Sequence, residues 1–287
     1  MSEFFLELFS EEIPAGLQKN LREKILEDFK NLFAEKSINS KKNFSFSTPN
    51  RLVVVFEGLD KQIKIKSKEI RGPKTSAPNQ ALEGFLRSNK IDKKNLFKKK
   101  TEKDEFYFYK TEATSLKTHD LLTEFIPKIL SNYQWKKSMK WGEFDLNWGR
   151  PLKSILSIFE KKIISFKFHH LVSSNQTFLD QDFEDKKKTF DNFRNYEKFF
   201  ENNGVIINQN KRLKIINKSF SKILRKKGLK IHENRKLMDE VLDLVDNPNV
   251  LLCKFDSKFL SVPKEILILT MESHQKYFPT FNDKDEI

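Results

Sequence analysis

Short apolar runs of strand type and amphipathic helical segments follow one another along this chain without a regular order, and this constrains the fold most. The run FFLELF (4–9) predicts a strand, and leucine, isoleucine and phenylalanine recur at helical spacing over residues 17–33, after Pro14. Residues 44–59 predict a strand pair or a long strand interrupted at Pro49, because proline cannot donate a ladder hydrogen bond. Since no regular βαβ rhythm is present, the sequence predicts an α+β fold rather than a doubly wound sheet.

The remainder of the chain keeps this mixture and becomes more helical towards its end. The pattern predicts a loop at 71–78, helices at 79–89 and 117–131, a strand at 106–113, a hairpin at 151–169, helices at 190–203, 210–227 and 233–246, a strand at 250–255, a short helix at 263–272 and a strand at 275–281. We therefore predict mixed strands and helices in two or more subdomains, with a helical segment near 190–246. The expected division is an N-terminal α+β region at 1–189, and at 190–287 a helical region followed by strand–helix–strand.

Composition excludes several classes of protein. Hydrophobic residues make up 38% of the chain and the mean hydropathy is −0.62, which is typical of a soluble globular protein. No apolar run approaches the roughly 18 residues of a membrane span, and the N-terminus carries acids where a signal peptide needs basic residues. The single cysteine, Cys253, excludes an intramolecular disulfide and a cysteine-based zinc site, and its predicted strand indicates burial. We expect a cytoplasmic protein without a membrane partner.

The net charge of +14 has two explanations. The chain has 45 Lys against 9 Arg, with 28 Phe and 22 Asn, and an A/T-rich genome would favour the codons of Lys, Phe and Asn. Clustering is more informative than the total, and residues 208–230 hold nine Lys or Arg and no acid. Leu213, Ile216 and Phe220 give this segment an apolar stripe, so it predicts an amphipathic helix with a cationic face. That face either contacts RNA phosphates or is the solvated side of a core helix, and both readings stay open.

Three other stretches provide candidate contact residues. RGPK (71–74) places Arg71 and Lys74 around a Gly-Pro turn that could hold an anion, but it lacks the spacing of a nucleotide-binding phosphate loop. MKWG (139–142) and NWGRP (147–151) contain Lys140, Trp141 and Arg150, which could stack on unpaired bases or close a core.

Residues 271–281, MESHQKYFPTF, resemble an acid–base cluster because Glu272, His274, Lys276 and Tyr277 lie within six positions. In a strand at 275–281, however, neighbouring side chains point to opposite faces, whereas general acid–base catalysis requires groups that converge. The sequence also contains no Gly-x-Ser-x-Gly elbow and no histidine spacing that suits a metal. We predict no catalytic residue and no metal site in this chain.

Several of these motifs occur together in an order that resembles a known family. They are FFLELFSEEIP (4–14), TPNRL (48–52), RGPK (71–74), MKWG (139–142), GRP (149–151), LMDEVLDLVDNP (237–248) and FLSVPKEILILTMESHQKYFP (259–279). This set is similar to the N-terminal portion of the β subunit of the bacterial heterotetrameric glycyl-tRNA synthetase, and the last block is the most specific. The chain departs from the family at 172–180, where VSSNQTFLD keeps only Phe178 of a Gly-His-Arg-Phe type motif.

The resemblance implies a ligase of protein biosynthesis, an aminoacyl-tRNA synthetase that attaches glycine to tRNA(Gly) at the expense of ATP. In that family the separate α subunit holds the ATP, magnesium and glycine, while the β subunit engages tRNA within an α2β2-type assembly. This chain would then bind no cofactor and would not be catalytic alone. Family β subunits are also far longer, and TFNDKDEI (280–287) resembles the first half of a hairpin without its return strand, so we expect a C-terminally truncated piece.

The expected contacts are with tRNA or with the α subunit, and the sequence leaves the choice between these two open. The candidates are Arg71, Lys74, Lys140, Trp141, Arg150, Lys211, Arg212, Arg225, Lys226, Lys227 and Lys276. Two alternatives remain. One is an editing-like hydrolytic domain that acts on mischarged tRNA through His170, Asp182 and His274, and the other is a purely structural scaffold that docks the α subunit.

Overall fold

The computed structural model describes residues 2–65, 67–101, 104–179 and 187–287. The chain folds as two compact units. The main unit comprises residues 1–60 and 122–287, and the inserted unit comprises residues 61–121. Helices and small antiparallel sheets are mixed along the chain, which confirms the predicted α+β class. The predicted boundary between residues 189 and 190 falls inside the main unit.

The helices within the described ranges are α1 Ala15–Glu35, α2 Asn79–Asn89, α3 Thr118–Ser131, α4 Phe193–Asn202, α5 Gln209–Lys227, α6 Arg235–Leu244 and α7 Lys264–Thr270. The strands are β1 Glu3–Ser10, β2 Lys42–Thr48, β3 Arg51–Glu57, β4 Gln62–Ile65, β5 Glu69–Lys74, β6 Leu96–Lys100, β7 Glu105–Lys110, β8 Thr114–Lys117, β9 Leu152–Phe159, β10 Lys162–Ile163, β11 Lys167–Phe168, β12 Leu171–Val172, β13 Gln176–Phe178, β14 Lys187–Thr189, β15 Lys230–Ile231 and β16 Thr280–Phe281. None of these helices combines the length and the apolar character needed to cross a membrane.

The main unit is built on an antiparallel sheet with the strand order β10–β9–β1–β3–β2. Strand β1 is covered on both faces, which explains why its sequence is almost continuously apolar. On one face Phe4 packs against Phe29 of α1 at 5.1 Å between ring centroids. On the other face Phe5 packs against Tyr196 of α4 at 4.8 Å. Both phenylalanines are fully buried, and each contributes about 1.5–3 kcal/mol through the area it removes from water.

One charged network lies inside this core. The buried Arg51 donates from Nε to Oε1 of Glu7 at 3.1 Å, and Oη of Tyr196 donates to the same oxygen at 2.5 Å. The Arg51 guanidinium lies over the rings of Phe9 and Phe200 at 4.6 and 4.5 Å. Burial raises the pKa of the Glu7 carboxyl despite these partners. The arginine of the TPNRL motif is therefore a core residue that ties β3 to β1 and α4.

The predicted helices and strands agree with the structure where a helix has a long apolar stripe and where a strand alternates buried and exposed side chains or packs inside the sheet. The predicted helix at 79–89 matches α2, and the predicted helices at 117–131 and 210–227 differ from α3 and α5 by one residue at their starts. The predicted interruption at Pro49 is the turn between β2 and β3, which pair antiparallel. Ile164, Phe166 and Phe168 are buried, as the alternation indicates.

Three predicted elements were wrong. Residues 250–255 form no strand and are exposed or nearly so, and Cys253 is exposed rather than buried. The predicted strand at 275–281 is reduced to β16, because Met271–Gln275 form a π-helical turn that continues α7 and Lys276 then adopts a positive φ of 58°. Strand β16 pairs with β15. The predicted loop at 71–78 is in part strand, since β5 extends to Lys74.

Candidate nucleic-acid interface

The excess of positive over negative charge in this chain lies in two places. The inserted unit has 16 Lys or Arg against 8 Asp or Glu, and α5 has 8 Lys or Arg and no acid. Because the whole chain carries +14, the remaining residues have a net charge of −2. Codon bias would enrich lysine everywhere, but it does not explain why acids balance lysine elsewhere and are absent from α5. The charge distribution therefore indicates two cationic surfaces for polyanions.

Helix α5 is delimited by its own sequence. Asn208 caps its start by accepting a hydrogen bond from the backbone N–H of Asn210 at 2.9 Å. Gly228 ends it with a φ of 63°, a left-handed conformation that glycine adopts without steric cost. The buried Ile216 lies on the inner face, and Phe220 packs against Phe278 at 5.1 Å between centroids. The helix is therefore fixed along one side and carries its cations on the other.

Two of the predicted contact residues in α5 are engaged by other groups of the chain. Arg212 is 0% exposed and donates to the carbonyl oxygens of Ser47 at 2.8 Å and Ile206 at 2.6 Å. Burial lowers its pKa to about 10, which leaves the guanidinium charged at neutral pH. Lys211 is held by the carboxylates of Glu197 and Glu201 in α4. Arg212 attaches α5 to the core and exposes no surface, so the structure does not favour its predicted contact with tRNA or the α subunit, which stays a prediction.

The outward side of α5 presents a row of cations. Lys214, Lys218, Lys222 and Lys226 are exposed and follow one another at intervals of four residues. A rise of 1.5 Å per residue places consecutive ammonium groups about 6 Å apart along the helix and extends the row over about 18 Å. None of the four forms an ion pair with a carboxylate in the described part of the chain. The row is available for the phosphates of an external polyanion.

The last turn of α5 adds to this surface. Arg225 and Lys227 are exposed there, next to Lys226. Cations at a helix C-terminus are also favoured by the negative end of the helix dipole, so part of their value is local to the helix. Because they are exposed, Arg225, Lys226 and Lys227 stay contact candidates. It adds Lys214, Lys218 and Lys222, which the spacing of lysine at every fourth position could have identified from the sequence.

The other predicted contact residues of the main unit differ in how far they are engaged within the chain. Lys140 is exposed, whereas Trp141 packs edge-on against His170 at 5.9 Å between ring centroids. The Nζ of Lys276 lies 2.9 Å from Glu240, so its charge is paired within the chain. Its neighbour Glu272 accepts from Asn234 at 2.8 Å. The 271–279 block thus joins the start of α6 instead of forming an acid–base cluster of its own.

Arg150 lines a cavity of about 530 Å³ in the main unit. Its lining comes from four of the motifs that carry the family resemblance and comprises Glu11, Glu12, Ile13, Pro14, Ala15, Pro49, Arg150, Asp243 and Leu244. Asp243 is engaged by Arg22 at 2.8 Å and Glu11 by Lys153 at 3.7 Å, which leaves Glu12 and Arg150 as one acid and one cation in the lining. The cavity therefore has no excess of positive charge that would attract an RNA phosphate to Arg150.

The hydrolytic alternative gains no support from the described residues. His170 stacks on Phe144 at 3.7 Å between centroids, and partial burial together with the neighbouring His169 lowers its pKa. His274 is exposed on the π-helical turn, and Asp182 lies outside the described residues. Neither His170 nor His274 lines the 530 Å³ cavity or a second one of about 230 Å³ next to Trp148. No group of three metal-ligating side chains occurs within the described ranges.

Arg71 and Lys74 lie in the inserted unit. The Arg71 guanidinium is 3.5 Å from the ring centroid of Phe106, in a cation–π contact. The Nζ of Lys74 is 2.7 Å from Asp104. Both side chains are exposed and both lie on the sheet formed by β5, β7 and β6. Aromatic neighbours, which the sequence analysis did not single out, surround them on this sheet.

Comparison with known proteins agrees with the motifs. Residues 4–287 match the family model described as glycyl-tRNA synthetase beta subunit. The chain is 38% identical over 282 residues to the glycine–tRNA ligase beta subunit of Rickettsia bellii strain OSU 85-389, an alignment that covers 98% of this chain and 43% of the relative. It is 38% identical over 284 residues to the same subunit of Rickettsia canadensis and 36% identical over 282 residues to that of Rickettsia akari, covering 98% of this chain and 42% of each relative. The chain thus spans less than half the length of these relatives, and it belongs to the glycyl-tRNA synthetase beta subunit family.

Proposed function

We propose that this chain engages tRNA(Gly) as part of a glycyl-tRNA synthetase β subunit, in the ATP-dependent attachment of glycine to tRNA. The reaction itself would take place on a separate α subunit, which would use ATP and magnesium, in an α2β2-type assembly in the cytoplasm. In this proposal the chain supplies binding and assembly and no catalytic group. The observation that carries it is the row of unpaired lysines on α5, together with membership of the family.

The row suits the backbone of folded RNA for a physical reason. Each ammonium group that neutralises a phosphate releases condensed counterions, so affinity depends on how many cations reach the backbone together. Lysines at every fourth position of a straight helix form a continuous ridge, and the fixed inner face of α5 keeps that ridge in place. Affinity gained in this way is sensitive to salt and largely independent of sequence, which is appropriate for a positioning contact.

A titration of tRNA(Gly) binding at several salt concentrations tests this proposal. The variant Lys218→Ala/Lys222→Ala/Lys226→Ala removes three cations from the row, and Lys24→Ala/Lys30→Ala/Lys128→Ala removes three from α1 and α3. Both variants change the net charge equally, and Lys24 and Lys128 are already paired with Asp28 and Glu124. We expect the slope of log affinity against log salt to fall by about 2–3 for the α5 variant and to stay unchanged for the control.

Equal slopes for the two variants would show that only the overall charge matters, and they would contradict the proposed role of α5. The variant Arg225→Ala/Lys226→Ala/Lys227→Ala separates the last turn from the rest of the row. Arg225 and Lys227 flank the row, so we expect this variant also to lower the salt slope by about 2–3, and an unchanged slope would exclude the last turn from the contact.

A second surface supports assembly with another polypeptide. Leu251, Leu260 and Leu269 are 73%, 54% and 61% exposed, and they belong to a segment that also exposes Phe255 and Phe259. Contiguous exposed apolar side chains mark interaction sites more often than isolated ones do. We expect Leu260→Ser/Leu269→Ser to weaken α-subunit binding in sedimentation experiments, with Val172→Ser, an exposed valine elsewhere in the main unit, as control. Unchanged affinity for the α subunit would place its contact elsewhere.

A further inference from the structure

One face of the inserted unit's sheet combines aromatic and basic side chains. In the strand order β5–β7–β6, Arg71 pairs with Phe108 and Phe108 pairs with Phe97, so these three side chains form one row across the sheet. Directly paired residues of antiparallel strands lie on the same face. A second row on that face, two residues along β7, consists of Lys74, Phe106 and Lys99.

A β-bulge at the Gly-Pro pair creates this arrangement. Residues three apart in a regular strand point to opposite faces, so Arg71 and Lys74 would not share one. The pairing register shifts between them, and the extra residue returns Lys74 to the face of Arg71. At Gly72 a Cβ atom would lie 3.0 Å from the ring of Phe85 in α2, so glycine allows the helix to approach closely. The bulge at the RGPK motif thus places Arg71 and Lys74 beside the aromatic rings on one face of the sheet.

The face presents flat groups to an incoming ligand. Phe97 is 37% exposed and stacks on Phe108 with 6.0 Å between ring centroids and an interplanar angle of 26°. The exposed Arg71 guanidinium covers Phe106, and a guanidinium plane can itself stack on a base. An exposed ring at the outer end of a stack is a ready platform for a further ring.

The cations of this face behave differently from the row on α5. Lys74 is paired with Asp104 and Lys99 with Glu69, each at 2.7 Å. Two of the three cations in the rows are therefore already neutralised, so attraction of phosphates cannot be the main property of the face. The remaining property is the apolar, planar surface of Phe97 and Arg71, placed within a unit whose net charge is +8.

We propose that this face binds unpaired nucleotides of single-stranded RNA by stacking bases on Phe97 and Arg71. Every base has a flat π-face, so stacking accepts any sequence, but a base enclosed in a duplex cannot offer that face. The surplus cations of the inserted unit attract the strand, and the aromatic rows hold its bases. This inference rests on the proposed function in one respect, namely that RNA is the ligand of the chain.

The test compares binding of a single-stranded oligoadenylate of about ten nucleotides with binding of an RNA duplex of the same length. In the whole chain, Phe97→Ala removes the outer ring, and we expect it to weaken single-strand binding about fivefold or more with little effect on the duplex. Phe44→Ala is a matched control, because Phe44 in β2 is also 37% exposed and also stacks at 6.0 Å, on Phe46. The control should bind both RNAs like the wild type.

A second variant provides a direct signature of stacking. Phe97→Trp keeps a flat ring at the platform, so it should retain single-strand affinity, and its added fluorescence should be quenched by the oligoadenylate but not by inorganic polyphosphate. Wild-type affinity in a folded Phe97→Ala protein, or equal weakening of single-strand and duplex binding, would overturn the inference. If the α5 variant weakens tRNA binding while Phe97→Ala changes nothing, only this inference fails. If the chain binds no tRNA at all, the proposed function fails as well.

Discussion

Arg212 is buried and Arg225 is exposed on the same helix, so substitutions of these two residues test how α5 is oriented. Arg212→Ala would remove the donors of two carbonyl oxygens, Ser47 at 2.8 Å and Ile206 at 2.6 Å. The Ser47 oxygen would keep Nε2 of Gln209 at 3.1 Å, so the Ile206 oxygen is the one left without this partner. A stranded buried carbonyl costs about 1–3 kcal/mol. Part of that cost is offset because the guanidinium no longer has to be desolvated, as the lowered pKa of Arg212 indicates. The volume that the side chain vacates adds a cavity cost, and we expect a net loss of about 1–3 kcal/mol in the free energy of unfolding.

Urea denaturation followed by far-UV circular dichroism measures this loss. The exposed Arg225→Ala variant is the control, and we expect it to change the free energy of unfolding by no more than about 1 kcal/mol. Arg212→Lys keeps the charge but reaches only one of the two carbonyl groups, so its loss should be intermediate. RNA affinity of the folded protein should follow the reverse order, with Arg225→Ala weakened and Arg212→Lys unchanged. Weaker RNA binding by Arg212→Lys at wild-type stability would refute the inward orientation.

Two further changes probe the core of the main unit. Gly149→Ala would place a Cβ atom 2.1 Å from the ring of Trp135, so we expect a loss of about 1–3 kcal/mol in thermal denaturation, whereas Gly16→Ala, with open space around it, should be neutral or slightly stabilising. Because the pKa of Glu7 is raised in the folded protein, this carboxyl stabilises the fold fully below its unfolded-state pKa of 4.5. That stabilisation is lost as the pH rises through the pKa of the folded state. Glu7→Gln should therefore flatten the fall in unfolding free energy as the pH rises above 4.5. Parallel pH profiles for this variant and the wild type would contradict a raised pKa.

The sequence predicted those helices and strands whose hydrophobic pattern alone indicates which faces are buried. The apolar stripe of α5 indicates one buried side and the continuous apolar run of β1 indicates two buried faces, so the approximate limits of both elements could be predicted. Arg212 was misplaced although a signal was available. It lies four residues before the buried Ile216, on the same line of the helix, and a basic residue on that line points towards the core.

The errors occurred where an apolar run has no partner strand. VLLCKF (250–255) has strand composition, but a strand exists only when a neighbour pairs with it, and composition cannot supply the neighbour. At residues 271–276 the helix continues as a π-turn and ends in a residue with positive φ, which no periodicity indicates. The aromatic rows of the inserted unit were missed for a related reason. Phe97 and Phe108 are eleven positions apart, and only the register of β6 on β7 brings them together.

The two cationic surfaces have complementary chemistry, and a salt series can separate their contributions. The four lysines of the α5 row have no ion pair within the described residues, so the binding energy of that surface arises from counterion release and declines steeply as salt rises. On the inserted unit the cations of the aromatic face are largely paired, so stacking contributes an affinity that screening hardly affects. A tRNA offers both ligands, because it contains duplex stems as well as unpaired loops and ends. Variants of α5 should therefore change the salt slope, whereas Phe97→Ala should lower the affinity that persists at high salt and leave the slope unchanged.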